Sequence, residues 1–486
     1  MKQRYVVLIV LFLGTLLLSI KILNVPPGIN GDEAAIGLNS SLISKTLKDE
    51  NGNFLPLFVN TLHNSDWKQP TTIYTTAIFF KIFGPSFFLL RFVSVIFCLI
   101  SAALLYTILD KYVGYKEALI GLAIFFTTPI IVIQSHLALE NIAPLPFILL
   151  WLFYLLKYLQ NGKGKFLFYA GLSIGLSIYS YNGMRLVAPA LFIGTIGYIT
   201  HAFSYKFSLW KLRPFIIGFI VSLLILILLK NTYPGAIFGS ARPLKITSFQ
   251  EYFLPLISSF DFSFLFLKGD NTPYHSTGKA GLFLLGLLPF FILGCLEASK
   301  LKNHLLNLSL IGLTFTPIFY PFVGSIYRGS RLLVFVPFIV IISTAGISFL
   351  LSQKKIAKRL IFLFLVLFLV FNFVDFLNDY WFYYPLRVKS DFNPPIHKVF
   401  KQLRELSRIT GKTPFIEEGL YISSYPASNF FENVYFNDEL YKFNPYNKNN
   451  KHLIILARKN EPIFENNPEF TRTGVDDTYS IYESKD

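Results

Sequence analysis

The chain has 486 residues, 53% hydrophobic and only 15% charged, with 53 Phe, a net charge of +16 and a mean hydropathy of +0.51. A soluble chain of this length needs more polar surface to cover its core, so a soluble protein is excluded. A basic excess in so apolar a chain points to the bias of Lys and Arg toward cytoplasmic loops rather than to nucleic acid.

Hydropathy and breakers place spans near residues 5–23, 87–109, 117–134, 142–158, 166–181, 186–203, 213–230, 280–297, 304–323, 332–352 and 359–378. This predicts an all-α polytopic membrane protein of about 11–13 transmembrane helices. The first span, "VVLIVLFLGTLLLSI" and its flanks, follows Lys2 and Arg4 and has no small-residue cleavage site, so it reads as a retained signal anchor. Cys98 and Cys295 lie far apart in apolar runs and read as small hydrophobes rather than a disulfide.

The connections alternate in character. Lys111 and Lys116, then Lys157, Lys163 and Lys165, then Lys206, Lys211 and Arg213, then Lys300 and Lys302, then Lys354, Lys355, Lys358 and Arg359 fall in one set, with Lys2 and Arg4. The other set includes "SHLALEN", with no Lys or Arg, and "YNGMR", with only Arg185. The Lys-rich set is therefore read as cytoplasmic. The apolar stretch 69–84 would reverse every later loop if it crossed, and it carries Lys81, so it reads as an interfacial helix. With that topology the loop 24–86, the "SHLALEN" turn, the loop 231–279 and the tail share the outer face. This gives a membrane domain over 1–379 and a small extracytoplasmic α/β domain over 380–486, with an amphipathic helix in "HKVFKQLRELSRIT" and strands in "HLIILAR" and "YSIYES". No internal repeat is visible.

The outer polar residues carry the chemistry. Asp32 and Glu33, in "NVPPGINGDEAAIG", first read as acids capping a helix. Glu140 and His136 reach the same face, as do Arg185, Arg242, Lys279, Arg328 and Arg331 in short polar islands. Lys68 and Arg185 also fit simple interfacial snorkelling, and Arg328 and Arg331 fit anchors flanking a span. His275 reads first as a solvated loop histidine and second as a ligand. A hard cation such as Mg²⁺ or Mn²⁺ would find oxygen ligands in Asp32 and Glu140. Carboxylates and cations converging at one interface suit a site at the membrane surface. Outside the cytoplasm an activated donor carried by a lipid suits such a site: a polyprenyl-phosphate sugar has a tail for the spans and a phosphate for Arg or Lys. Asp32 would serve as base toward an acceptor hydroxyl, and the later cations would neutralise the departing phosphate.

The order of motifs resembles the GT-C fold glycosyltransferases of family 39, which include protein O-mannosyltransferases and the lipid A aminoarabinose transferase. The resemblance rests on "GDEAAIG", on "KQPTTIYTTAIFFKIFGPSFFLLRFVSVIFCLISAALLYTIL", on "SHLALENIAPLPFILLWLFYL", on "GLSIGLSIYSYNGMRLVAP" and on "GDNTPYHSTGKAGLFLLGLLPF", and covers about residues 1–350. It implies an inverting transfer from a polyprenyl- or dolichyl-phosphate sugar to a protein, lipid or glycan acceptor at the outer face of the plasma (inner) membrane. It puts Asp32 in the place of the first-loop catalytic acid, with Glu33 its neighbour and Glu140 the acid of the second outer turn. Lys68, Arg185, Lys279, Arg328 and Arg331 are then the phosphate-binding candidates. His136, Tyr181 and His275 are the pocket candidates, and Asp32, Glu140 and His275 the metal candidates. The chain departs from the pattern at Trp67-Lys68-Gln69-Pro70, where the family often has Glu-Lys-Pro-Pro, and at His136, which replaces an Arg. A coupled transporter is the rival reading from another class, but such proteins carry ionisable groups inside the bilayer and often repeats. A polymerase or ligase of lipid-linked glycans is the rival among enzymes.

Overall fold

A computed structural model describes residues 2–203, 209–238, 248–300, 303–324, 326–392, 396–437, 440–443, 453–459, 461–475 and 478–485. Each of the eleven predicted spans falls on helix. Among the described residues six helices are long and apolar enough to cross a membrane: Phe87–Tyr112, Glu140–Asn161, Trp210–Leu228, His304–Val323, Gly329–Leu351 and Ile356–Arg387. The pair Tyr115–Thr127 and Pro129–Ser135 passes the same test only when taken together, and it is bent by 60° where Pro129 removes a backbone donor, as in a broken span or a re-entrant loop. The chain is a multi-pass membrane protein. The remaining predicted spans are shorter than a bilayer requires or lower in hydropathy; the first is helical only over Lys2–Leu17. The stretch predicted to be interfacial is the helix Pro70–Phe83, whose 14 residues reach only about 21 Å.

The chain divides into two compact units. The first comprises Met1–Ile22, Trp67–Thr72 and Phe92–Tyr384. Within it Gly329–Leu351 is almost wholly buried, whereas Ile356–Arg387 turns Leu360, Phe364, Leu367 and Phe371 outward, as a lipid-facing helix must. Gly164–Ser177 and Arg213–Leu228 lie so close that a Cβ on Gly171 would meet the Phe215 carbonyl oxygen at 2.1 Å. Without a hydrophobic drive between helices in lipid, such close backbone approach through small residues supplies the packing.

The second unit comprises Leu23–Asp66, Ile73–Arg91 and Pro385–Asp486. Its five-stranded sheet runs Tyr441–Phe443, Thr413–Glu417, Leu453–Arg458, Tyr479–Ser484, Phe470–Val475. The first three strands are parallel and the last two pair antiparallel. The central strand "LIILAR" is buried along all but its last residue, as a strand covered on both faces is. The amphipathic helix Ile396–Thr410 buries Ile396, Val399, Phe400 and Leu403 and packs on this strand and on the helix Ala427–Tyr435, and Phe464, Phe470 and Tyr482 belong to a second apolar cluster. The helix Gly31–Thr46 belongs to this unit. It packs on Ala427–Tyr435, with Gly37 admitting Leu90 and Phe430.

Candidate active site

In the first unit the outer turns predicted from sequence gather polar side chains at one end of the helices. The strand Asp66–Lys68 leads into Gln69, which is fully buried, and then into Pro70. The Gln69 backbone N–H donates to Glu140 Oε1. Its side-chain oxygen accepts from Arg185 Nη2 at 3.2 Å. Thr71 donates through N and Oγ1 to the Tyr179 carbonyl at 3.2 and 2.9 Å, which pins the same segment to the turn carrying Tyr181 and Arg185. Tyr181 lies beside Ser330 and Arg331. Its burial pushes the phenol up, and Arg331 draws it back. Tyr320 Oη donates to the Arg331 carbonyl at 2.7 Å and fixes that backbone. Arg331 Nη1 is buried and has no hydrogen-bond partner among the described residues.

A second set of contacts stiffens the neighbouring loop. Asn141 Nδ2 donates to Gln134 Oε1 at 3.2 Å, and Gln134 Nε2 donates to the Tyr274 carbonyl at 2.6 Å, with His275 Nδ1 3.0 Å away. Asp270, only 3% exposed, accepts from Thr272 N at 2.8 Å and Thr272 Oγ1, and from Gly329 N at 2.6 Å. A Cβ at 329 would stand 3.0 Å from the end of the Leu282 side chain and 3.4 Å from Asp270 and His275, so the turn is closely packed there.

The cluster therefore joins Glu140, Arg185, Tyr181 and Arg331, with His275 tied to the adjoining turn. Lys68 is buried next to Gln69, and His136 is fully buried with Nδ1 3.1 Å from Tyr380 Oη. Arg328 and Lys279 are exposed. Arg242 lies outside the described residues. Asp32 and Glu33 belong to the second unit, where the expected helix cap is present. Glu33 N donates to Asn30 Oδ1 at 2.9 Å, and Asn30 N donates back to Glu33 Oε2 at 3.3 Å. Glu33 is fully buried against Arg91, with bonds of 2.9 and 3.1 Å, while Asp32 is exposed. Among the described residues no group of three or more His, Cys, Asp and Glu stands close enough to hold a metal ion.

Sequence reasoning did not assign roles to Gln69, Asp270, Tyr320 or Arg91. Gln69 was visible only as a departure from the family pattern. Asp270 and Arg91 act through partners 59 and 58 residues away.

Residues 68–230 match the family model described as dolichyl-phosphate-mannose-protein mannosyltransferase. The crystal structure of ArnT from Cupriavidus metallidurans bound to undecaprenyl phosphate is similar at a TM-score of 0.56 and 11% identity, over 98% of this chain and 97% of that one. Its apo state matches at a TM-score of 0.56 and 10% identity, over 99% and 98%. No curated protein matches the chain in sequence. At such identities the structural likeness speaks to the fold, which is of the GT-C type with a small C-terminal sheet domain. The family match over 68–230 falls on three of the quoted motifs, and the chain resembles the family 39 glycosyltransferases as those motifs implied.

Proposed function

We propose that this chain is a membrane glycosyltransferase that moves a sugar from a polyprenyl-phosphate donor to an acceptor on the extracytoplasmic face of the plasma (inner) membrane. The observation that carries the reading is the buried Arg331 Nη1, a cationic donor without an acceptor among the described residues, beside Tyr181 in the cluster that also holds Arg185 and Glu140. An unmet buried donor on a charged group is costly, and a phosphate would satisfy it with charge-assisted bonds. That a structure of the same fold holds undecaprenyl phosphate supports the same class of carrier here.

In this reading Arg331 and Arg185, with Lys68, hold the donor phosphate, and the apolar helices take the polyprenyl tail. Asp32 removes the proton of the acceptor hydroxyl as its oxygen attacks the anomeric carbon from the face opposite the phosphate. The bond from that carbon to the phosphate oxygen breaks, its electron pair passes to the phosphate, and the anomeric centre inverts. The arginines gain most as this charge develops, which lowers the barrier rather than merely tightening binding. Glu140 orients Gln69 and, through it, Arg185. Glu33 positions the helix that bears Asp32. No step is routed through a metal ion.

The test is turnover of radiolabelled polyprenyl-phosphate sugars by the purified full chain in lipid. Wild type, Asp32→Asn and Arg331→Leu are compared, with and without a chelator. Release of polyprenyl phosphate that both variants abolish supports the reading, and the chelator arm reports any need for Mg²⁺ or Mn²⁺. Undiminished turnover in Asp32→Asn removes the base assignment, and absence of donor binding by wild type removes the function.

A further inference from the structure

A second cleft in the first unit lies at the other end of the same helices. It has a volume of about 460 Å³ and is lined by Tyr112, Leu156, Leu159, Gln160, Asn303, His304 and Leu305. Gln160 closes the helix Glu140–Asn161, so the cleft stands about 30 Å along that helix from Glu140. It is separate from the cluster around Arg331, and the volume lies within the range of small-molecule sites.

Its polar lining is biased toward donors. Tyr112 Oη is buried and has no hydrogen-bond partner among the described residues. Asn303 Oδ1 is occupied by Leu305 N at 2.9 Å, which leaves the Asn303 amide N–H groups for a ligand. Tyr198 Oη lies 2.6 Å from His304 Nδ1, and the Asn307 side chain donates to that same phenol oxygen. With the phenol proton directed to Nδ1, His304 has its own proton on Nε2 and is a donor there. Lys111 Nζ stands 5.2 Å from the Tyr112 ring. Among the described residues no carboxylate lines the cleft. Leu156, Leu159 and Leu305 make the rest of the wall apolar.

We infer that this cleft binds the phosphate head of an amphiphile, with Tyr112, His304, Asn303 and Gln160 donating to phosphate oxygens and the leucines packing on the aliphatic chain. An acceptor-rich anion answers the unmet phenol and the donor bias together. The phosphate can come from a bilayer phospholipid or from a free phosphate, and the experiment separates the two.

Full-length protein in a neutral detergent is titrated with dioleoyl phosphatidic acid, dioleoylglycerol and inorganic phosphate. Wild type is compared with Tyr112→Phe, which removes one oxygen, and with Leu159→Trp, which fills the cleft without touching its polar atoms. Thermal midpoints check that the variants fold. Phosphatidic acid binding at least tenfold tighter than dioleoylglycerol, and weakened about tenfold by each variant, is the expected result. Inorganic phosphate binding with the same sensitivity to Tyr112→Phe supports the head-group chemistry and assigns a soluble source. Equal affinity for the phosphatidic acid and the diacylglycerol, binding indifferent to both variants, or no binding at all overturns the proposal. None of these outcomes bears on donor turnover, so failure here leaves the transferase reading standing.

Discussion

Arg185 donates from Nη2 to the side-chain oxygen of Gln69 at 3.2 Å. Gln69 is in turn held by its own backbone N–H on Glu140, so one buried residue sets the spacing between a carboxylate and a guanidinium. Gln69→Leu keeps the backbone bond and the volume but removes the acceptor. A hydrogen bond to a charged group contributes about 1.5–3 kcal/mol. If Arg185 must be held in place for the departing phosphate, kcat falls roughly 10- to 100-fold at about 1.4 kcal/mol per decade. Steady-state kinetics with a lipid-linked donor checks this. An unchanged kcat with only KM altered would place Gln69 in ground-state binding instead.

Glu33 and Arg91 form a fully buried, two-pronged pair, and Arg91 also donates to the carbonyls of Pro26 and Gly28. Removing one member strands the other charge in a dry interior, at a cost of about 3–5 kcal/mol. Arg91→Met is therefore expected to lower the thermal midpoint sharply. The double variant Glu33→Gln, Arg91→Met should recover part of the loss, because no ionised group is left alone. Additive losses in this cycle would mean that the pair contributes through its separate backbone contacts, not through the charge pairing.

Much of the architecture was legible in the sequence, and particular residues show why. The helix over 397–410 repeats Val399, Phe400 and Leu403 on one side with Lys398, Lys401 and Arg404 on the other, and the structure places helix at Ile396–Thr410. "LIILAR" reads as a buried strand because it is a short β-branched run between polar turns. Tyr441–Phe443 is too short to carry a period, and Phe470–Val475 mixes Arg and Gly with Thr, so neither announced itself. At the site, residue types that advertise charge were found, whereas Gln69 works through a backbone N–H and Asp270 through a distant amide. Such roles depend on which turns meet, and a one-dimensional pattern does not encode that.

Asp270 offers a direct check on the loop that carries Arg331. Its Oδ2 receives Gly329 N at 2.6 Å and its Oδ1 receives Thr272, so it ties two segments together while nearly buried. Asp270→Asn presents an N–H₂ to one of these donors and must lose at least one bond. Amide exchange at Gly329 is expected to rise about tenfold or more, since the bond to the Asp270 side chain that shields it is gone. Donor turnover should fall with it while exchange in the helix Leu145–Asn161 stays unchanged. Protection retained at Gly329 would mean that packing alone holds the turn.

His397 gives the second unit a pH dependence of predictable sign. Burial pushes its imidazole down to about 3, and Arg91, Lys398 and Lys401 add repulsion in the same direction. Phe87 and Phe431 lie against the ring, and Nδ1 is buried without a hydrogen-bond partner among the described residues. The unfolded chain takes up this proton near the ordinary histidine pKa of about 6.5, and the folded chain does not until about 3. Between those values the unfolded state holds the extra proton, so stability falls as pH falls, at a slope that approaches about 1.4 kcal/mol per pH unit well below the upper value. Hydrogen exchange of Ile396–Thr410, corrected for the intrinsic rate, should therefore rise from pH 7 to pH 5. This window lies above most carboxylate titrations. His397→Phe keeps an aromatic ring among aromatic neighbours, forfeits no hydrogen bond at Nδ1, and should flatten the profile. A slope that survives the substitution would transfer the effect to another group in the unit.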